Sequence, residues 1–228
     1  MSQRHSGYNR LNGGDRYCTP SWVTMALAPH LPKRLRRIWE PASGDGQMAK
    51  ALRHLGLEVE ATDIDRGVDF LSTEKSRSPV DGIITNPPFE LATAFIEHAL
   101  AVTKRNRGFV AMLARVDYDS AKTRGHLFGH CPQFAKKLTL TRRIVWFDRP
   151  GAAPSFNHRW LLWDWRHKGP AVLAHYYEVP NESPLRAQPP SARAMGFRAA
   201  GAVTTNSQQA VKPAWVKRSR RRALKRRA

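Results

Sequence analysis

The sequence has few cysteines, few acidic residues and no long apolar segment. Its 228 residues include two cysteines, Cys18 and Cys131, whose spacing fits neither a zinc site nor a disulfide framework. No stretch approaches the roughly 18 apolar residues of a membrane span. The polar start, MSQRHSGYNRLNGGDRY, lacks the apolar core of a signal peptide. These absences argue against a metal site, a membrane anchor and secretion, and they predict a cytoplasmic protein with reduced thiols.

The shortage of acids leaves a large positive charge. Lys and Arg number 38 against 18 Asp and Glu, a formal net charge of +20. Such a chain attracts polyanions, of which nucleic acid is the commonest in a cytoplasm; ribosomal association and an anionic membrane surface are the alternatives. The charge is uneven, because residues 181–228 hold 12 Lys and Arg and one acid, Glu182.

Composition also predicts the domain boundaries. Residues 181–211 are rich in Ala, Pro, Ser and Gln without hydrophobic periodicity, which predicts a flexible linker. Residues 212–228, KPAWVKRSRRRALKRRA, are predicted to be a basic nucleic-acid-binding arm with one aromatic residue, Trp215; a solubility tail is the alternative. With 1–16 as a flexible N-terminal segment, residues 17–180 form the predicted folded domain.

Strand and helix patterns alternate within that domain. Short apolar or alternating stretches predict strands at 36–40, 57–65, 67–71, 80–85 and 108–114, and a terminal antiparallel pair at 138–147 and 159–165. Helical spacing follows the first stretch in QMAKALRHLG and the fourth in FELATAFIEHALAVTKR. This alternation predicts an α/β fold with a mostly parallel sheet and helices on both faces.

Glycine or acidic residues follow three of these strands. The first turn, EPASGDGQMA, places Gly44 and Gly46 before a helix, where glycine lets the backbone approach a ligand closely. It lacks the Gly-Lys-Ser/Thr ending of a phosphate P-loop and departs from the G-x-G-x-x-G pattern. The second strand ends in TDID with Asp63, and the third in VDF with Asp69 and Phe70.

The fourth strand ends in TNPPF. Two consecutive prolines stop a strand, because neither donates a ladder hydrogen bond and each has a fixed φ. Parallel strands present their carboxyl ends at one edge of the sheet, where ligands bind in open α/β folds. The joint occurrence of the four features at that edge predicts an active site.

In this order, EPASGDG, TDID, VDF and TNPPF resemble the motifs of S-adenosylmethionine-dependent amino-methyltransferases. The resemblance is greatest to the N6-adenine DNA methyltransferases in which the cofactor motif precedes the catalytic one. YCTPSWVTMAL (17–27) resembles their N-terminal motif, and NHRWLLWDW (157–165) resembles small phage and prophage-encoded members. The resemblance covers residues 15–115. It implies a Rossmann-like class I methyltransferase fold with a seven-stranded sheet, and S-adenosylmethionine as the cofactor.

The resemblance implies three groups of cofactor-binding residues: those that hold the methionine carboxylate, those around the rest of the methionine part, and those that hold ribose and adenine. Asp65 is the alternative to Asp63 as the ribose ligand, and the spacing to the strand end favours Asp63. In order, the groups are Thr19 and Pro20; Glu40, Ala42 and Gly44, with Asp45 as a further candidate; and Asp63 for the ribose with Asp69 and Phe70 for the adenine. The remaining predicted cofactor-binding residues are Tyr17, Pro41, Gly46, Ile64 and Asn86.

The catalytic group is Asn86, Pro87, Pro88 and Phe89. The lone pair of a ring-conjugated amino group is delocalised, so acceptors for its N–H bonds favour the pyramidal nitrogen that attacks the methyl group. The Asn86 side-chain oxygen and the Pro87 carbonyl are the predicted acceptors, held rigid by the two prolines. Phe89 is the predicted stacking face for a base taken out of the helix. No covalent nucleophile is needed, so Cys131 is predicted to be structural.

The motifs indicate the reaction more closely than the substrate. Related enzymes modify RNA adenine or guanine, or the glutamine amide of release factors. The charge and the arm favour nucleic acid, and the Thr-Pro motif favours DNA, so the prediction is N6-adenine methylation of DNA. No separate recognition domain is visible, which predicts short or relaxed sequence specificity. A non-catalytic nucleic-acid-binding protein on this fold is the alternative of a different class.

Four further residues have two interpretations each. Phe156, His158 and Trp160 are candidates for a second wall of a base pocket, but a Trp-rich strand is more often core, where we place Trp163. Arg115 and the residues after it are candidates for contact with a nucleic-acid backbone, and a solvated loop is equally compatible.

Overall fold

The computed structural model describes residues 18–146 and 156–177. Tyr17, the predicted segment 1–16, the linker and the basic arm all lie outside the described residues. Within the described ranges, no helix has the length and apolar character needed to cross a lipid bilayer.

One sheet of seven strands organises the described residues. Its spatial order is β2-β1-β3-β4-β6-β5-β7. All neighbours are parallel except that β6 runs antiparallel to both β4 and β5, as the mostly parallel prediction requires. The strands are β1 (Arg37–Glu40), β2 (Glu58–Ala61), β3 (Gly82–Thr85), β4 (Phe109–Arg115), β5 (Phe134–Leu140), β6 (His158–Asp164) and β7 (Val172–Tyr176).

Helices cover both faces of this sheet. The helices α1 (Ser21–Met25) and α2 (Gln47–His54) pack against one face and α3 (Ala92–Lys104) against the other. Every residue of β4 from Phe109 to Ala114 is buried, with alternate side chains in the two cores. A strand covered on both faces requires such a continuous apolar run, whereas an exposed face would alternate with polar residues.

Three fully buried tryptophans fix the layers to one another. Trp39 on β1 donates its indole N–H to Thr62 Oγ1, and Trp160 on β6 donates to the Val23 carbonyl of α1, both at 2.8 Å. Trp163 donates to the Leu127 carbonyl at 2.8 Å. Each ring therefore buries its apolar surface without leaving its polar atom unpaired. The core placement of Trp163 is confirmed.

Three strand predictions were wrong in detail. Residues 67–71 are not a strand: Gly67 has a φ of 78° and Phe70–Ser72 form a 3-10 helix. The Asp69 carboxylate caps that helix by accepting from the Leu71 N–H at 3.0 Å, which local turn chemistry favours over a strand. Strand β5 overlaps the predicted 138–147 only in part, since it begins at Phe134 and ends at Leu140. The antiparallel pair is not terminal, since the unpredicted β7 follows it.

The strand order creates the place for a site. Strands β2 and β3 lie on opposite sides of β1, so the crossover connections diverge at its carboxyl end and leave a crevice there. Because β6 runs in the opposite direction, its first residue, His158, pairs with Arg115 at the end of β4 and lies at this same edge.

Candidate functional site

A cleft of about 430 Å³ lies at the carboxyl ends of β1, β2 and β3. Of the predicted cofactor residues, Pro20 and Gly46 do not line it. The predicted residues that do line it are Thr19, Glu40, Pro41, Ala42, Gly44, Asp63, Ile64, Asp69, Phe70, Asn86 and Pro88, together with the alternatives Asp45 and Asp65. Sequence reasoning missed the apolar lining residues Met48, Val68, Leu71, Leu91 and Phe95, which carry no motif signal.

The glycine turn after β1 is held rigidly against the end of β2. Gly44 has a φ of 50°, a conformation that favours glycine, and its N–H donates to Asp63 Oδ2 at 2.7 Å. The Arg66 guanidinium donates to Ser43 Oγ at 3.1 Å and to the Gly44 carbonyl at 2.9 Å. Arg66 was not predicted, because its role depends on a contact between two turns that the chain separates by about twenty residues.

Asp63 and Asp65 both line the cleft but differ in their surroundings. Asp63 is buried, and its two oxygens accept from the Gly44 and Asp65 backbone N–H groups, at 2.7 and 3.0 Å. Asp65 is exposed. Between them, Ile64 is 70% exposed and lines the cleft. The choice between the two acids as ribose ligand stays a prediction.

Asp69 and Phe70 occupy different environments. The Asp69 carboxylate is exposed, and a hydrogen bond from the Ser72 hydroxyl at 2.6 Å, aided by the Leu71 N–H, lowers its pKa. The Phe70 ring is only 2% exposed and packs against Trp39, Phe95 and His98 at centroid distances of 5.0, 4.9 and 4.7 Å. This geometry leaves little of the Phe70 ring for stacking on an adenine, although Phe70 is among the residues that line the cleft.

Glu40, the last residue of β1, is a buried carboxyl group at the base of the cleft. Its side chain is 2% exposed, and its Oε2 atom has no hydrogen-bond partner among the described residues. Burial raises its pKa to about 8; Asp45 and Asp63 add to the rise and Arg53 opposes it. The apo protein therefore holds a mostly protonated carboxyl group where a cationic ligand would favour the carboxylate.

Thr19 and Asn86 connect the N-terminal motif to the NPPF motif. Asn86 Nδ2 donates to the buried Thr19 Oγ1 at 3.1 Å. This contact orients the amide and leaves Asn86 Oδ1 as an acceptor with no partner among the described residues. Pro87 is buried behind it, and Pro88 accepts from the Leu91 N–H at 3.0 Å. An acceptor is therefore presented at a fixed position beside the cleft.

Phe89 belongs to an aromatic group with Trp146 and His158. Its ring lies 5.8 Å from His158 and 6.3 Å from Trp146, measured between centroids. Trp146 was not predicted as a site residue, and the signal for it was its place in the apolar IVWF stretch. Of the second-wall candidates, the structure brings His158 into this group, while Trp160 is fully buried in the core. Phe156 is 41% exposed beneath the Arg115 guanidinium, 4.0 Å from its ring centroid.

The two cysteines differ in position. Cys18 lines the cleft beside Asp45, and partial burial together with the Asp45 carboxylate raises its pKa to about 11. Cys131 lies away from the cleft, packed against the core on the α3 face, and burial raises its pKa as well.

Similarity to known proteins is structural. No protein-family model matches the sequence, and no curated protein matches it. An RNA methyltransferase candidate from Pyrococcus horikoshii superposes with a TM-score of 0.50 at 15% identity, over 66% of this chain and 86% of that one. The methyltransferase subunit of a type I restriction-modification system from Streptococcus thermophilus matches 66% of this chain and 45% of its own, with a TM-score of 0.43 and 15% identity.

A candidate class I S-adenosylmethionine-dependent methyltransferase from Listeria monocytogenes gives a TM-score of 0.44 at 15% identity, over 69% of this chain and 64% of that one. At 15% identity, similarity to a solved structure is evidence for the fold alone. The Pyrococcus horikoshii structure, with a TM-score of 0.50, supplies that evidence. The predicted class I methyltransferase fold is therefore confirmed.

Proposed function

We propose that this protein is an S-adenosylmethionine-dependent methyltransferase that modifies the N6 amino group of adenine in DNA. One observation carries the proposal: Asn86 Oδ1 is an unpartnered acceptor, oriented by Thr19, at the border of a ligand-sized cleft. An enzyme that activates an amino group needs such an acceptor, because a partner for the developing N–H charge stabilises the transition state.

The cleft residues fit S-adenosylmethionine. A volume of about 430 Å³ lies within the range of small-molecule sites. When bound, the cofactor would supply an electrophilic methyl group on a sulfonium. Glu40 and the Gly44 turn would surround the methionine part, Asp63 or Asp65 the ribose, and Ile64 and Asp69 the adenine. The buried Glu40 Oε2 has no hydrogen-bond partner among the described residues. A positively charged group of the cofactor would provide one, which supports this assignment.

The residues of the NPPF motif would then act on the nucleophile. Asn86 Oδ1 and the Pro87 carbonyl accept hydrogen bonds from the two N–H groups of the amino group. The nitrogen lone pair then points away from the ring plane. Phe89 stacks on the base and fixes its plane. The two prolines lower the cost of organising these groups, since their backbone has little freedom to lose.

DNA is favoured as the polymer by the resemblance of the Thr19-Pro20 motif and by the net charge of +20. The structural neighbours include both an RNA methyltransferase candidate and a DNA-modification subunit, so both polymers belong in the test. Sequence specificity is proposed to be short or relaxed, with residues 212–228 providing salt-sensitive affinity.

The test is transfer of labelled methyl groups to unmodified DNA, RNA and protein, followed by identification of the modified nucleoside. We expect N6-methyladenine in DNA, with kcat lowered at least about 100-fold by Asn86→Ala. Asn86→Asp, which keeps an acceptor, should retain part of the activity. Asn106→Ala, which removes an amide distant from the cleft, is the control. Label in RNA or protein alone would refute the DNA assignment, and label in none would refute the enzyme.

Removal of residues 212–228 should weaken DNA binding and flatten its salt dependence while cofactor binding stays unchanged. Loss of cofactor binding in that variant would contradict the proposed domain division.

A further inference from the structure

The five-residue helix α1 leaves one carbonyl group to a side chain from the sheet. In a continued helix the Leu27 N–H would bond to the Val23 carbonyl, but here it bonds to the Thr24 carbonyl at 3.0 Å. The Trp160 indole N–H donates to the Val23 carbonyl at 2.8 Å instead. Val23 and Trp160 are both fully buried, so water cannot take the place of this donor.

Trp160 is a fixed point because it lies in the middle of the sheet. Strand β6 is flanked by β4 and β5, and Trp160 pairs with Leu113 on one side and Leu138 on the other. All three side chains are buried in one core. The indole therefore cannot turn away from α1 without disturbing the packing of three neighbouring strands.

Val23 connects this fixed point to the candidate site. Its N–H donates to the Pro20 carbonyl at 3.0 Å, and the proline ring restricts the φ of Pro20, which is −57°. The next residue towards the N-terminus is Thr19, whose Oγ1 accepts from Asn86 Nδ2 at 3.1 Å. A short series of bonds and one rigid residue thus join the middle of β6 to the acceptor of the NPPF motif.

Trp22 of α1 is held from the same part of the sheet. Its ring stacks on that of Tyr176, the last residue of β7, with centroids 6.1 Å apart and planes at 22°. The Arg142 guanidinium, just after β5, lies 5.1 Å from the centroid of the Trp22 ring. Strands β6 and β7 and the residues that follow β5 therefore each contribute a contact to α1.

We propose that Trp160 is a positioning residue of the candidate site, with Tyr176 as a weaker second one. The hydrogen bond from Trp160 fixes α1, which fixes Thr19, and Thr19 in turn directs the Asn86 acceptor. This inference rests on the proposed function and deepens it, since Trp160 itself does not line the cleft. Phenylalanine would meet the need for a buried ring, but only an indole also supplies the donor that the buried carbonyl requires.

Trp163 provides a matched control for Trp160. It lies on the same strand, is equally buried, and donates its indole N–H to the Leu127 carbonyl, also at 2.8 Å, but on the α3 face of the sheet. Trp160→Phe and Trp163→Phe each remove one buried hydrogen bond and part of one ring. Their Tm values should therefore fall by similar amounts, within about 3 °C of each other.

Only Trp160→Phe should disturb the site. We expect it to raise the dissociation constant of S-adenosylmethionine about fivefold, measured by calorimetry without nucleic acid, and to lower kcat on DNA about tenfold, because a displaced Thr19 misplaces the acceptor. Trp163→Phe should stay within about twofold of wild type in both quantities. Equal losses in the two variants would overturn the inference, because they would reflect lost stability alone.

A double-mutant cycle tests the route through Thr19. Thr19→Val removes the last contact before Asn86. In that background, Trp160→Phe should lower kcat by no more than about twofold, because the two residues act through one another. If the two single effects multiply, the proposed route is wrong.

A smaller change decides the matter if Trp160→Phe does not fold. Tyr176→Leu removes the ring that stacks on Trp22 and should change kcat and cofactor affinity in the same direction, by about threefold. Its control is Tyr177→Leu, the exposed neighbour, which should leave both unchanged. Wild-type values in Tyr176→Leu would then overturn the inference.

Cofactor affinity keeps the two proposals distinguishable, because it is measured without a methyl acceptor. A wild type that binds S-adenosylmethionine but methylates no DNA, RNA or protein would refute the proposed function. A fivefold difference in cofactor affinity between the two tryptophan variants would still support the positioning role of Trp160, and equal affinities would refute it.

Discussion

The ionisation of Glu40 should be coupled to cofactor binding. Its pKa of about 8 in the free protein, against an ordinary value of 4.5, corresponds to about 5 kcal/mol of penalty on the carboxylate. The largest cause is burial, which a bound cation offsets directly. We therefore expect the cofactor to lower this pKa well below 7 and to release a proton on binding.

The number of protons released on cofactor binding follows from the protonation of Glu40 in the free protein. At pH 7 about 0.9 of the molecules hold the proton on Glu40, and at pH 9 about 0.1 do. Calorimetric titration of S-adenosylmethionine in two buffers of different ionisation enthalpy should thus report about 0.9 proton released at pH 7 and about 0.1 at pH 9. The dissociation constant should fall by close to tenfold per pH unit below pH 8 and level off above it.

Stability gives an independent readout of the same group. A carboxyl pKa raised in the folded state means that the folded protein keeps a proton which the unfolded chain has lost between pH 4.5 and about 8. The contribution of Glu40 to the free energy of unfolding is therefore fully present below pH 4.5. It is lost as pH rises towards 8, by about 1.4 kcal/mol per pH unit. Glu40→Gln should match wild type at pH 4 and exceed its Tm increasingly up to pH 8.

The matched control is Glu58→Gln, an exposed glutamate on the neighbouring strand β2. It should show the wild-type proton release and pH profile. Identical binding enthalpies in both buffers for wild type, or unchanged proton release in Glu40→Gln, would refute the reasoning about burial and charge at the base of the cleft.

Three further outcomes are expected. Thr19→Val frees the Asn86 amide to rotate and should lower kcat about tenfold, whereas Thr19→Ser should preserve it; equal rates would show that the 3.1 Å contact does not orient the acceptor. The Cys18 thiol, with a pKa of about 11, should react with iodoacetamide about tenfold faster per pH unit from 7 to 10, and fast alkylation at pH 7 would contradict its pairing with Asp45. Arg115→Gln should reduce the salt slope of DNA binding by about one, while Arg105→Gln, at the opposite edge of the sheet, should leave it unchanged.

Much of the fold was predictable because its signals are local. The β1 strand, the glycine turn and α2 follow from an apolar stretch, two glycines and a 3.6-residue periodicity, all within about twenty residues. The strand predicted at 67–71 failed for a local reason too: the Asp69 side chain competes for backbone N–H groups and closes a turn. Strand β7 was missed because Val172 and Leu173 are exposed at the edge of the sheet, so the stretch shows no buried pattern.

The sequence alone determined which side chains follow β1, β2 and β3 and, through TNPPF and the glycine turn, the type of chemistry to expect. Only the tertiary structure decided how these groups act on one another. Asn86 acquires an oriented acceptor from Thr19, 67 residues away, and Glu40 acquires its raised pKa from burial under a turn that Arg66 holds in place. His158 lies at the same edge of the sheet as the cleft because β6 runs antiparallel. Hydrogen-bond satisfaction and desolvation are properties of packed neighbours, which no local pattern specifies.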